Sequence, residues 1–166
     1  MVKKVKEASA SNTYMTYVTM PNDMNNAGVV HGGVLLKLID QAAGVCAARF
    51  SESSVVTACL DRVYFLEPIN IGELVILKAS INYVGNTSME IGVRVETENV
   101  KTGKKRHTNS CYVTMVAVDD KGKPKTAPQL KCVSAKEIRG REEGEARVKN
   151  NLKALREYKK HEKQNI

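Results

Sequence analysis

The chain has no tryptophan and only two phenylalanines among its 166 residues. Base-stacking nucleic-acid binders rely on aromatic platforms, and no recognition-helix or basic-patch motif lies in the body of the sequence. Long apolar runs are also missing: no stretch reaches the roughly 18 to 20 residues that span a bilayer. The opening "MVKKVKEASASNTYMTY" carries positive charge with no apolar run behind it, unlike a secretory signal. These absences predict a cytoplasmic protein with neither a membrane nor a nucleic acid as partner. The four cysteines, Cys46, Cys59, Cys111 and Cys132, are scattered, with no C-x-x-C pair and no histidine at ligand spacing. That pattern predicts reduced, buried thiols and no metal site. G-x-S-x-G, G-x-G-x-x-G, the phosphate-binding loop motif and H-E-x-x-H are all absent, which argues against a serine hydrolase, nucleotide-driven chemistry and a zinc hydrolase.

The sequence has the length and the 42% apolar content of one domain with its own core. The net charge is +8, and its excess is terminal: residues 1–8 contribute +2, residues 130–166 contribute +5, and the middle +1. A basic tail over 1–13, a domain over 14–129 and a charged helical extension over 130–166 follow from this division. The tails read as solvated surface, with help in binding an anionic ligand and nucleic-acid binding as the competing readings.

Residues 14–20 read as a first strand, ended by Pro21 and an Asn-rich loop suited to side-chain-to-backbone turns. From about Gly33, Leu35, Leu38, Ile39, Ala42, Cys46 and Phe50 recur at three- and four-residue steps, the stripe of a buried helix. The period then changes to two. Residues 55–66 form a strand segment bent at Asp61 and Arg62, and 74–84, 89–96 and 106–118 alternate with short Gly-containing joints, an antiparallel meander. One helix covers one concave face of such a sheet. From about 134 a charged helix with a thin apolar stripe begins, interrupted by Gly140 and Gly144, and either lies on a neighbouring subunit or frays.

The chemistry concentrates around "HGGVLLKLID". The first-turn amides of a helix lack internal partners and carry partial positive charge, and Gly32 and Gly33 leave them bare for a carbonyl oxygen or phosphate. The bland alternative is a tight entry turn. Asp40, about 10 Å further along the axis, falls on the edge of the apolar stripe beside Leu36, Ala43, Gly44 and Ala47. There it is either a partnered structural acid or a carboxylate facing a cleft, able to activate water or attack directly. His31 abuts the glycines, as a ligand contact or as a turn residue.

The fragments "PNDMNNAGVVHGGVLLKLIDQAAGVCAARF", "VVTACLDRVYFLEPINIGE" and "VGNTSMEIGVRVE" together resemble the hotdog-fold acyl-coenzyme A thioesterases of the cytosolic acyl-CoA hydrolase family, over about residues 14–128. The resemblance implies an α+β hotdog fold, a curved antiparallel sheet wrapped around a central long helix, here with a charged C-terminal helix added. It implies hydrolysis of the acyl-CoA thioester with no required cofactor, since coenzyme A is part of substrate and product. The minimal active unit would be a dimer, assembled as a trimer of dimers. Carried over by motif, Asp40 would be general base or nucleophile, and Asn25 from the facing subunit would hold water or the carbonyl. Gly32 and Gly33 would polarise the carbonyl beside His31, Thr57, Thr87 and Ser88 would neighbour the thioester or pantetheine arm, and Arg62, Arg94, Lys104, Lys105 and Arg106 are candidates for the phosphates. A non-catalytic acyl-CoA or CoA-binding protein is the alternative.

Overall fold

The computed structural model describes residues 4–164. The period-two segments become a six-stranded antiparallel sheet, comprising β2 (Thr13–Val18), β3 (Ser54–Leu60), β4 (Tyr64–Phe65), β5 (Leu74–Val84), β6 (Ser88–Glu98) and β7 (Lys105–Val118) in the order β2-β5-β6-β7-β3, with β4 also on β7. The strand expected over 55–66 breaks at Asp61–Val63, and both of its pieces pair with β7, Ser54 opposite Val118 and Phe65 opposite Asn109. The three-strand meander has the expected connections.

The helix α1 (Gly32–Ser51) lies in the concave face. Its stripe, Leu35, Leu38, Ile39, Ala42, Cys46 and Phe50, is buried against the inward positions of the strands, among them Leu77, Ile81, Ile91, Val95 and Val113. Burying each of the larger of these side chains, such as Leu38, Ile39 or Phe50, contributes about 1.5 to 3 kcal/mol, which is why alternating strands and a three-four stripe select this packing. All four cysteines are free thiols, and burial pushes Cys46 and Cys111 up to about 11.

The structure differs from the sequence reading at both ends. Residues expected in a basic tail form β1 (Val5–Glu7), parallel to β8 (Gln129–Lys131), and a 3-10 turn at Ala8–Ser11. Lys6 Nζ donates to the carbonyls of Arg49 and Phe50, and Lys4 and Lys6 both reach Glu52 at 2.8 Å. These cations fasten the negative C-terminal end of α1, where Glu52 occupies the left-handed conformation at φ 54°.

At the other end α2 (Ala135–Gln164) docks its first half on the convex face of the protomer's own sheet. Gly140 and Gly144 seat it rather than interrupt it: a Cβ at Gly144 would come within 3.0 Å of Glu90 and 3.1 Å of Tyr83. Arg147 pairs with the buried Glu90 at 2.8 Å and stacks over Tyr112 with its guanidinium carbon 3.6 Å from the ring centre. No helix among the described residues is long and apolar enough to cross a membrane.

Candidate active site

Two clefts flank α1. The first, of about 470 Å³, is lined by Met15, Asp40, Gln41, Gly44, Val45, Val55, Thr57 and Met115. Asp40 enters it from the helix, half-buried, and Thr57 meets it from β3. The Thr57 hydroxyl donates to Asp40 Oδ1 at 2.6 Å, a short bond of the charge-assisted kind. Oδ2 has no hydrogen-bond partner among the described residues. Of the small neighbours expected beside the acid, Gly44 lines the cleft, whereas Ala43 and Ala47 are sealed in the core. The cleft opens beside β3, an edge strand, so Thr57 itself is exposed.

The second cleft, of about 360 Å³, contains Asn25, Gly32, Leu35, Phe65 and Asn109. Its loop is held from below by Asp23, a buried carboxylate that accepts the Tyr17 hydroxyl at 2.9 Å and the Met20 amide at 2.7 Å. The same bond holds the Tyr17 phenol above its ordinary pKa, because ionisation would lose it. Asn25 Oδ1 accepts the amides of Ala27 at 2.8 Å and Val29 at 3.3 Å, the turn that the asparagine-rich loop suggested. That pairing fixes the carboxamide and leaves Nδ2 as its unengaged donor among the described residues.

The glycine pair divides its work. His31 is the N-cap of α1, and its Nδ1 accepts the Gly33 amide at 2.9 Å. A Cβ on Gly33 would press on that imidazole at 3.1 Å, and one on Gly32 would meet the Phe65 ring at 3.3 Å. The expectation of two bare amides therefore narrows to one: the Gly33 N–H is engaged by His31, and only Gly32 N–H lacks an acceptor among the described residues. His31 acts as the turn residue that caps the helix.

Asn25 and Gly32 thus share one cleft, and Asp40 and Thr57 the other. Thr87 and Ser88 lie in the β5–β6 hairpin and line neither. The cations divide as well. Arg62 is exposed. Arg94 pairs with Glu96 and Lys105 with Glu98. Arg106 is committed to protein: Nη1 and Nη2 reach the Glu73 carboxylate at 2.6 and 2.7 Å, Nη2 also reaches the Pro68 carbonyl at 2.8 Å, and Nε reaches Glu67 at 2.9 Å. Its guanidinium holds the Glu73 carboxyl below the usual carboxylate range. This arginine clasps the loop over 67–73, with each of its guanidinium nitrogens engaged by a protein acceptor. Tyr17, Asp23 and Phe65 were not legible as site residues, because each acts through a contact made only by the fold.

The sequence model of the Thioesterase superfamily matches residues 27–104, a span that holds Gly32, Asp40 and Thr57. Protein VdlD of Helicobacter pylori is 41% identical over 158 residues, 95% of this chain and 90% of that protein. An acyl-CoA hydrolase of Staphylococcus aureus, solved with coenzyme A as an alanine variant at an asparagine, superposes with a TM-score of 0.90 at 31% identity over 96% of both chains. The same hydrolase has been solved as alanine variants at an aspartate and at a threonine, and with butyryl-coenzyme A. A hexameric acyl-CoA thioesterase superposes with a TM-score of 0.87 at 36% identity, over 92% of this chain and 97% of the other. With a single helix wrapped by a curved antiparallel sheet and this degree of likeness along nearly its whole length, the chain belongs to the hotdog-fold acyl-CoA thioesterase family.

Proposed function

We propose that the protein hydrolyses the thioester of acyl-CoA to a carboxylic acid and coenzyme A, in sites shared between two protomers. The observation that carries this reading is the Thr57–Asp40 bond at the mouth of an open cleft. One oxygen of the acid is oriented by the hydroxyl, and the other is available to a water or an acyl carbon. Further support comes from the S. aureus hydrolase, whose three alanine variants fall on an asparagine, an aspartate and a threonine spaced 15 and 17 residues apart, the intervals between Asn25, Asp40 and Thr57.

Asp40 lies eight helical steps beyond Gly32, an axial distance of about 12 Å. A reacting carbonyl needs its oxyanion donors and its base each about 3 Å away, so one protomer's Gly32 cannot serve its own Asp40. The donors that meet Asp40 come instead from a facing subunit: its Gly32 N–H and Asn25 Nδ2 take the carbonyl oxygen while Asp40 activates water or attacks the carbon. Collapse of the tetrahedral adduct breaks the C–S bond and expels the thiolate of coenzyme A, which takes up the proton that Asp40 drew from water; where Asp40 itself attacks, the mixed anhydride so formed is then hydrolysed by water, which frees the acid and restores the carboxylate. The bare edge of β3 supports such pairing. Val56 and Leu60 on β3, and Tyr64, Phe65 and Leu66 on and just after β4, which pairs with the same strand β7, are exposed together, an apolar edge that a solitary sheet would not tolerate. A dimer joined there, tripled into a hexamer, is the assembly we infer.

The test is release of free thiol from a panel of acyl-CoAs. Asp40→Asn is expected to lower kcat by about 10² to 10⁴ while coenzyme A binding persists. Undiminished turnover by that variant rules out the proposed role of Asp40. A parent protein that binds coenzyme A but hydrolyses no acyl-CoA is instead a binding protein.

A further inference from the structure

The inward positions of β7 are apolar at Cys111, Val113, Met115 and Ala117, and Asn109 continues the same alternation with a carboxamide. Asn109 is wholly buried. One end of its amide lies 2.7 Å from the Tyr64 carbonyl. A carbonyl only accepts, so that end is Nδ2 and the orientation is fixed. Oδ1 then faces the other way, buried and without a donor among the described residues. Such an orphan carries a desolvation penalty that an apolar residue of the same shape would avoid. Asn109 lines the cleft that holds Asn25 and Gly32, whose remaining walls, including Val29, Leu35, Phe65 and Ile69, are largely apolar.

We propose that Asn109 Oδ1 is a substrate-reading acceptor, which takes a hydrogen bond from an N–H or O–H of the bound thioester. The inference rests on the hydrolase reading above and goes beyond it by assigning a specificity residue. A site that is left with an unpaired buried acceptor rejects the analogue that lacks the donor. Two parts of an acyl-CoA carry such a donor next to the thioester: the pantetheine amide nearest the sulfur, and a hydroxyl on the acyl chain.

The experiment measures kcat/KM on two substrate pairs. The first compares butanoyl-CoA with 3-hydroxybutanoyl-CoA. The second compares butanoyl-CoA with an analogue in which an ester oxygen replaces the N–H of the amide nearest the sulfur. In the parent, the donor-bearing member of one pair is expected to be favoured about tenfold or more. In Asn109→Leu that ratio should fall to within about twofold, through loss on the donor-bearing member. A preference in the first pair places the acyl chain against Asn109, and one in the second pair places the pantetheine arm there. The parent's ratios need no variant, so the proposal is tested even if Asn109→Leu does not fold, and Asn109→Ser then repeats the comparison. Parent ratios near one in both pairs, or a ratio unchanged by the substitution, overturn the proposal. A parent that hydrolyses none of these substrates overturns the hydrolase reading instead.

Discussion

Replacing Arg106 with methionine separates two roles for that residue, loop clasp and phosphate cation. Glu73, whose side chain is 7% exposed, accepts Arg106 at 2.6 and 2.7 Å, and its other donor among the described residues is the Asn70 amide at 2.8 Å. Without the guanidinium it becomes a buried carboxylate lacking its countercharge, which costs about 3 to 5 kcal/mol. Glu67 is half-exposed, so losing its contact adds under ~1 kcal/mol. For a chain of this size each kcal/mol moves the unfolding midpoint by about 2 to 4 °C, so Arg106→Met should lower it by about 6 to 20 °C. The double variant Arg106→Met, Glu73→Gln removes both charges and should recover about 2 to 3 kcal/mol of that loss. Because Glu67, Pro68 and Ile69 line the Asn25 cleft, the single variant should also raise KM, and the double variant should restore it. Unfolding followed by circular dichroism, with thiol release measured below both midpoints, reads the two effects. The clasp is refuted by a single variant within about 1 kcal/mol of the parent, or by a double variant no more stable than the single. A stable double variant with KM still raised would return Arg106 to the phosphate role.

Arg147→Met leaves Glu90 buried with Asn82 as its remaining side-chain partner, and should cost about 3 to 5 kcal/mol with a loss of far-UV helical signal from α2; unchanged stability would mean that the pair does not dock the helix. His31→Ala removes the acceptor for the Gly33 amide and should destabilise by about 1 kcal/mol in urea unfolding, an outcome contradicted if the midpoint stays put. Stability should also fall in acid. Hydrogen bonds from Lys4 and Lys6 hold Glu52 at about 2, and those from Arg94 and Lys78 hold Glu96 at about 2, both below the ordinary 4.5. Their pairs therefore contribute fully above about pH 4.5, and that contribution is withdrawn as pH falls through about 2. Glu96→Gln should flatten the slope in this window, and added salt should shrink it; a slope identical to the parent's would exclude Glu96 as a source.

Local periodicity carried most of the architecture. The stripe from Leu35 to Phe50 named the helix and its buried face, and alternation named the long strands almost to the residue, because each pattern is written in neighbours three, four or two apart. Asp40 was legible as an acid on the edge of that stripe for the same reason. What the fold alone decided are contacts between residues far apart in the chain. Thr57 reaches Asp40 across 17 positions, Arg106 reaches Glu73 across 33, and Arg147 reaches Glu90 across 57. A sequence shows that such groups exist but not which of them meet, since pairing depends on strand register and on how a helix seats on a sheet. Hence a run of apolar spacing could place α1, while only tertiary structure divided the two glycines between His31 and Phe65, drew Arg106 into a loop clasp, docked α2 on the convex face, and parted Asn25 from Asp40 into separate clefts.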